Sequence, residues 1–285
     1  MRSLIKNILV LVGNIYFSTF HLLKKKNPCV KILIYHDIPP EYEDNFKDHI
    51  STLKESFAFI TPAQFHKYLD GEFTLERDSL MVTFDDGFVS SYTSTVKILD
   101  PLDISAIFFI CSGFIDSGVD GNWRAYTSKY ICDNNITEAE VKDWQKPMGW
   151  EQVLNLKDNG HMIGGHTRNH LRLSTVKDIK TITSEISDDK IKLEEKLGEK
   201  ISTIAYPYGD INSISSEALN VIDSIYKFCY SGVRGNNYAN EHKIALKRDV
   251  AGFYLKTADV KFIASGGYDW YYYKDRMRLK NMVSR

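Results

Sequence analysis

From residue 30 onward, short apolar runs alternate with stretches of helical spacing. The runs CVKILIYHDI (29–38), SLMVTFDDG (79–87), ISAIFFI (104–110), HMIGGH (161–166), STIAYPYG (202–209) and ALKRDVAGF (245–253) read as strands. Several are unbroken Ile, Val, Phe and Leu, which suits parallel strands covered on both faces. Helical spacing is carried by DHISTLKESF (48–57), VSSYTSTVKILD (89–100), WEQVLNLKDNG (150–160), TVKDIKTITSEISDDKIKLEEKLG (175–198) and SSEALNVIDSIYKF (215–228). Gly160 and Gly198 stand where helices stop. This alternation predicts one parallel α/β domain, either a barrel or an open sheet. Residues 113–147 break the pattern and are expected to form a lid or groove wall.

The first 31 residues differ from the rest. They hold Arg2, Lys6, Lys24, Lys25, Lys26 and Lys31 and no acid. The apolar stretch between the basic ends is about as long as a bilayer-spanning helix, but Lys6, Asn7, Gly13 and Asn14 interrupt it. Ser3, Asn7, Asn14, Ser18, His21 and Lys25 share one helical face, so an interfacial helix competes with a spanning one. No A-x-A-like cleavage site precedes the lysines. Residues 1–28 are therefore expected to associate with a membrane surface, and 29–285 to form the catalytic domain. The slight basic excess on the C-terminal side leans towards a cytoplasmic domain, with export as the alternative.

Composition narrows this only a little. Thirty-six basic against 37 acidic residues leave a formal charge of −1, so no global field attracts nucleic acid. Cys29, Cys111, Cys132 and Cys229 are scattered, without the spacing of a zinc knuckle or a disulfide framework. They are expected to be mostly buried thiols, which favours a reducing compartment.

The chemistry is concentrated at the strand ends, where parallel α/β folds collect their sites. Asp85 and Asp86 end one predicted strand, and His36, His166 and Tyr208 end others. An Asp-Asp-Gly turn is unremarkable alone. HTRNH, however, places His166 and His170 four apart, a spacing that reaches one metal if the backbone there turns like a helix. With Asp86 they would make a three-ligand open metal site, relieving the repulsion of adjacent carboxylates. Asp85 would stay unligated as general base. Pro207 and Gly209 fix a loop in which the Tyr208 N–H can face a developing oxyanion. His36 is either a general acid for a leaving amine, oriented by Asp37, or a structural histidine. His21, His49, His66, His161 and His242 lack such context and are assigned surface or structural roles.

In these motifs the chain resembles the polysaccharide deacetylase family, carbohydrate esterase family four. The matching residues are Thr83-Phe84-Asp85-Asp86-Gly87, His166-Thr167-Arg168-Asn169-His170 and Tyr206-Pro207-Tyr208-Gly209, within a likeness covering about residues 30–250. The resemblance implies a distorted parallel β/α barrel, a divalent metal (most often Zn2+), and hydrolysis of an N-acetyl group from an N-acetylated glycan. Carried over, Asp85 is the base, Asp86, His166 and His170 hold the metal, and the Tyr208 amide helps bind the oxyanion.

Two departures matter. Ala205 stands where the family has an arginine paired with the base, and Arg248 is either its replacement from another strand or a surface arginine. The family's C-terminal Leu-x-His is absent. A branch resembling poly-N-acetylglucosamine deacetylases carries that histidine on an N-terminal strand, which fits His36, with Leu33 or Ile34 then lining an acetyl pocket. Trp123, Tyr126 and Trp150 are either sugar-stacking surface or core. The leading expectation is a metal-dependent N-deacetylase of an envelope or lipid-linked glycan. An O-acetyl esterase and a silent glycan-binding relative are the alternatives.

Overall fold

The computed structural model describes residues 27–283. The segment read as membrane-associating lies outside these residues, save its last two positions. Among those described, no helix is long and apolar enough to cross a membrane. The strands are β1 (Val30–Tyr35), β2 (Ala58–Phe59), β3 (Ser79–Phe84), β4 (Ala106–Ile110), β5 (Met162–Gly165), β6 (Thr203–Ala205), β7 (Phe228–Tyr230) and β8 (Asp249–Val250). They lie in the order β7-β6-β5-β4-β3-β1-β8, with β2 against β3, and every ladder is parallel.

The last strand curls the sheet towards closure. Leu246 bridges Tyr230 of β7, and the Arg248 N–H donates to the Val233 carbonyl. On the other side β8 pairs with Leu33 and Ile34, and the Ala251 N–H donates to Ile34. Leu246–Ala251 therefore joins β7 to β1. This is the distorted parallel barrel, surrounded by helices, that the sequence implied.

Alternation along each strand sorts the side chains. Ile32, Met81, Ile107, Phe109, Ala205, Tyr230 and Leu246 form the inner cluster. Leu33, Tyr35, Val82, Phe84, Phe108, Ile110 and Ile204 point outward beneath the helices. Each such fully buried side chain contributes about 1.5–3 kcal/mol. The same parity sends the residues just beyond the strands inward: His36 follows Ile32 and Ile34, Asp85 follows Met81 and Thr83, and His166 follows Gly164.

The helix Pro62–Leu69 seals the opposite end. Thr61 starts it with a capping box, accepting the Gln64 N–H while the Gln64 side chain accepts the Thr61 N–H. Its Phe65, Tyr68 and Leu69 join the inner cluster. His66 stacks on Phe228 at 3.7 Å and meets the Tyr230 hydroxyl at 2.8 Å. Burial, then the Lys227 charge, hold its pKa down to about 4 against the ordinary 6.5, with Asp70 opposing and Lys243 adding slightly. The unfolded chain thus takes up this proton first as pH falls. Stability is expected to decline between about pH 6.5 and 4, and His66→Phe should remove that component in melting curves run across pH.

Several boundaries differ from the periodic reading. The run 215–228 is a helix only over Ser216–Ile225, and Phe228–Tyr230 is a strand. A short apolar tail continues either period equally well, and pairing with β6 decides it. The run 89–100 is helical over Val89–Ser94 and then widens to a π turn over Thr95–Leu99. Only Asp249–Val250 of the run 245–253 is ladder strand. The helices Pro62–Leu69, Thr257–Ala264 and Tyr273–Val283 were not read from periodicity.

Candidate active site

Register brings the site together. Tyr35 pairs with Phe84, so the next residues, His36 and Asp85, stand side by side at the mouth. Ile110 pairs with Gly165 and Gly165 with Ile204, which carries His166 between Cys111 and Ala205.

Asp85 is buried and held by two parallel bonds: Arg248 Nη1 donates to Oδ1 at 2.6 Å and Nη2 to Oδ2 at 2.9 Å. The arginine is itself fully buried, donating from Nε to the Ser231 carbonyl and from Nη1 to Thr83 Oγ1, with its guanidinium 4.9 Å over the Phe109 ring. Burial alone would push the Asp85 carboxyl up. The Arg248 charge and its hydrogen bonds outweigh it and hold it below the ordinary range. A bidentate Arg–carboxylate pair is the geometry expected of a buried ion pair. Arg248 therefore enters from the closing strand to the place beside Asp85.

Asp86 is the neighbouring case without a partner. Its backbone is left-handed (φ 74°), a conformation aspartate tolerates, and it turns the carboxylate away from Asp85. Asp86 Oδ1 lies 3.4 Å from His166 Nε2 and 3.3 Å from His170 Nε2. Neither contact has hydrogen-bond geometry, and this buried oxygen has no hydrogen-bond partner. Both histidines use Nδ1 elsewhere: His166 towards the Ala205 carbonyl at 2.7 Å, His170 towards the Tyr130 carbonyl at 3.0 Å. Donation there leaves each Nε2 lone pair aimed at an anionic oxygen. Two imidazoles and a carboxylate arranged this way fit a divalent cation, and the orphaned Oδ1 is the observation that says so. Cys111 adds a nearby sulfur. Asp86, Cys111 and His166 each place one potential ligand atom within 4.8 Å of the others. Burial, and then the surrounding carboxylates, hold the thiol well above its ordinary pKa, and it donates to the His166 carbonyl at 3.2 Å. Its sulfur is a further potential ligand atom beside Asp86 and His166.

The histidine loop is not helical, as their spacing alone required. β5 ends at Gly165, and Thr167 and His170 both take left-handed backbone (φ 62° and 54°). For a β-branched residue that is real strain. The long helix Ile179–Leu197 holds it in place. Asp189 accepts the Ser112 N–H at 2.8 Å and the His166 N–H at 3.0 Å. One turn earlier, Glu185 accepts from the backbone and side chain of Asn169. Burial pushes Asp189 up to about 6 despite these bonds. The two preceding glycines serve space rather than a turn. A Cβ on Gly164 would meet the Phe109 ring at 2.7 Å, and one on Gly165 the Tyr226 hydroxyl at 2.5 Å.

Tyr208 and Gly209 are both left-handed (φ 64° and 68°). The Tyr208 N–H has no acceptor among the described hydrogen bonds. Its ring lies 4.8 Å from that of His170, with the Arg172 guanidinium 3.9 Å above it. Arg172 also binds Asp210 and Ser213, which fixes the loop. His36 is exposed beside Asp85, and burial pushes the carboxyl of the following Asp37 up. Of the two residues proposed for an acetyl pocket, Ile34 shares the inner parity of His36, whereas Leu33 packs outward.

The irregular segment 113–147 contributes a wall. Tyr130 binds His170, and Cys132 lies near enough to Asp86 and Asp37 for their charges to raise its pKa, after burial. Tyr126 stacks on Phe114 and donates to the Arg168 carbonyl, while Trp150 donates to Asp116; both are packing residues. Trp123 is half-buried beneath the Arg124 guanidinium. Sequence reasoning missed Asp189, Glu185, Arg172 and the Tyr130 carbonyl. The first two had a readable signal: acids on the apolar stripe Ile182, Ile186, Leu193 of a helix.

Comparison with known proteins bears on the family and the fold. Residues 73–223 match the family model for polysaccharide deacetylase. The chain is 22% identical over 205 residues to YxkH of Bacillus subtilis (strain 168), named as a polysaccharide deacetylase, covering 69% of this chain and 63% of that protein. Its fold is similar to the Streptococcus pyogenes deacetylase PplD, solved with acetate (TM-score 0.66, 19% identity, 84% of this chain and 99% of that one). It is also similar to IcaB from Ammonifex degensii (TM-score 0.64, 18% identity, 85% and 98%). A third similar fold is a de-N-acetylase from Aggregatibacter actinomycetemcomitans (TM-score 0.65, 16% identity, 82% and 99%).

Proposed function

We propose, since this chain belongs to the polysaccharide deacetylase family, that it hydrolyses an N-acetyl group on an N-acetylhexosamine unit of a cell-envelope or lipid-linked glycan. Water is consumed; acetate and a free amine are released. The observation that carries this reading is the contrast between the two adjacent carboxylates. Asp85 is neutralised by Arg248, while Asp86 keeps an orphaned oxygen towards two imidazoles. That a similar fold is named a de-N-acetylase, and another was solved with acetate, is in keeping with it.

Asp86, His166 and His170 would hold the divalent cation, Zn2+ being the ion this donor set suits best. Bound there, it would supply Lewis-acid polarisation of the acetyl carbonyl. Asp85, ionised at neutral pH and kept in one orientation by Arg248, accepts the proton of the attacking water. The Tyr208 N–H donates to the oxygen on which negative charge develops. His36, beside Asp85 at the mouth, donates the proton that lets the amine leave. Residues 1–28 would bring the enzyme to the membrane.

Acetate release from N-acetylated envelope glycans tests this. Chelation is expected to lower the rate by at least about 100-fold, with recovery on adding Zn2+. Product mass separates an amine from the free hydroxyl an O-esterase would leave. Release insensitive to chelation would overturn the reading.

A further inference from the structure

Outside the site, the described surface has one concentrated aromatic patch. Trp270, Tyr271 and Tyr273 are 70%, 68% and 59% exposed, far more than large aromatic side chains usually are. They cluster on one another: Trp270 lies 5.9 Å from Tyr271 and Tyr271 5.2 Å from Tyr272, both edge-on. The helix Tyr273–Val283 that follows buries only Leu279. It carries Lys274, Arg276, Arg278 and Lys280 against Asp275, four cations to one anion, a net +3. An open groove of about 500 Å³ runs along its exposed side, lined among others by Tyr273, Lys274, Met277 and Arg278. Aromatic rings interleaved with cations favour the headgroup level of a bilayer, where the rings are half-wet and the cations meet anionic lipid.

The placement adds an independent reason. Asp269, beside Trp270, is paired at 2.6 Å with Lys31 in β1. The patch thus abuts the point where residues 1–26 enter the domain. That stretch contains five cations and no acid. The ridge lies near the start of the described chain, which begins four residues before Lys31.

We infer that the ridge Trp270–Arg278 is a docking surface for anionic lipid bilayers, acting beside the N-terminal segment. Tethering by either element raises the effective concentration of the other at the surface. This does not depend on the deacetylation chemistry.

The test uses the full chain and vesicles of phosphatidylcholine with or without phosphatidylglycerol. Co-sedimentation is compared between the native sequence and Trp270→Ser/Tyr271→Ser/Tyr273→Ser. The triple variant is expected to partition onto the anionic vesicles about tenfold more weakly, or less still, with its melting temperature and soluble-glycan turnover unchanged. The native chain should also show a blue-shifted Trp emission on those vesicles that Trp270→Phe removes. Equal partitioning of both chains, or no vesicle binding by either, overturns the proposal. A variant that keeps vesicle binding but loses glycan binding would make the ridge a sugar platform instead, which equally overturns it.

Discussion

Asp85→Asn is expected to lower acetate release by about 10²–10⁴-fold while the cation affinity of Asp86, His166 and His170 stays within a few-fold of native. The amide keeps the shape of the side chain but cannot take up a proton. It also leaves the buried Arg248 facing a neutral group, so some stability is lost with activity. Measuring turnover together with cobalt or zinc affinity and the melting temperature separates these. A folded, metal-loaded Asp85→Asn enzyme with native turnover would remove Asp85 from the base role.

Arg248→Met should give the largest stability effect, about 3–5 kcal/mol by denaturant titration. The substitution roughly preserves volume, so the loss comes from the charge left behind. Without the guanidinium, burial pushes the Asp85 carboxyl upward, reversing its present depression. Its base form is then lost at higher pH than before. The acid limb of the rate profile should move to higher pH, and turnover at neutral pH should fall. Removing both charges in Asp85→Leu/Arg248→Met is expected to recover much of the stability and none of the activity. An unshifted acid limb in Arg248→Met would mean that the pair does not tune the reacting carboxylate.

The parallel α/β architecture was legible because β/α alternation is a local property, while its closure into a barrel came from the family resemblance. Each predicted strand run holds a real strand, and three distant motifs ended up on one rim. Arg248 stayed ambiguous for a physical reason. Nothing in ALKRDV distinguishes an arginine reaching into a closed barrel from one reaching into water, because the distinction depends on a bridge to Tyr230 and a ladder to β1. The helical geometry assumed for His166 and His170 was wrong for a related reason. A four-residue spacing specifies a helix only when the backbone is free to form one, and here β5 feeds directly into a turn held by Asp189 and Glu185. The matched family segment, residues 73–223, also omits both His36 and Arg248. Arg248 is therefore assigned to Asp85 by its two hydrogen bonds rather than by the matched segment.

Because Leu246–Ala251 completes the ring, the counterion of Asp85 is delivered by a strand made 163 residues after it. During synthesis the chain holds both histidines and both aspartates long before that cation emerges. A nascent or truncated product ending short of residue 248 would have a bare carboxylate in an apolar interior. The buried charge is thus paired only once residue 248 has emerged and joined the ring.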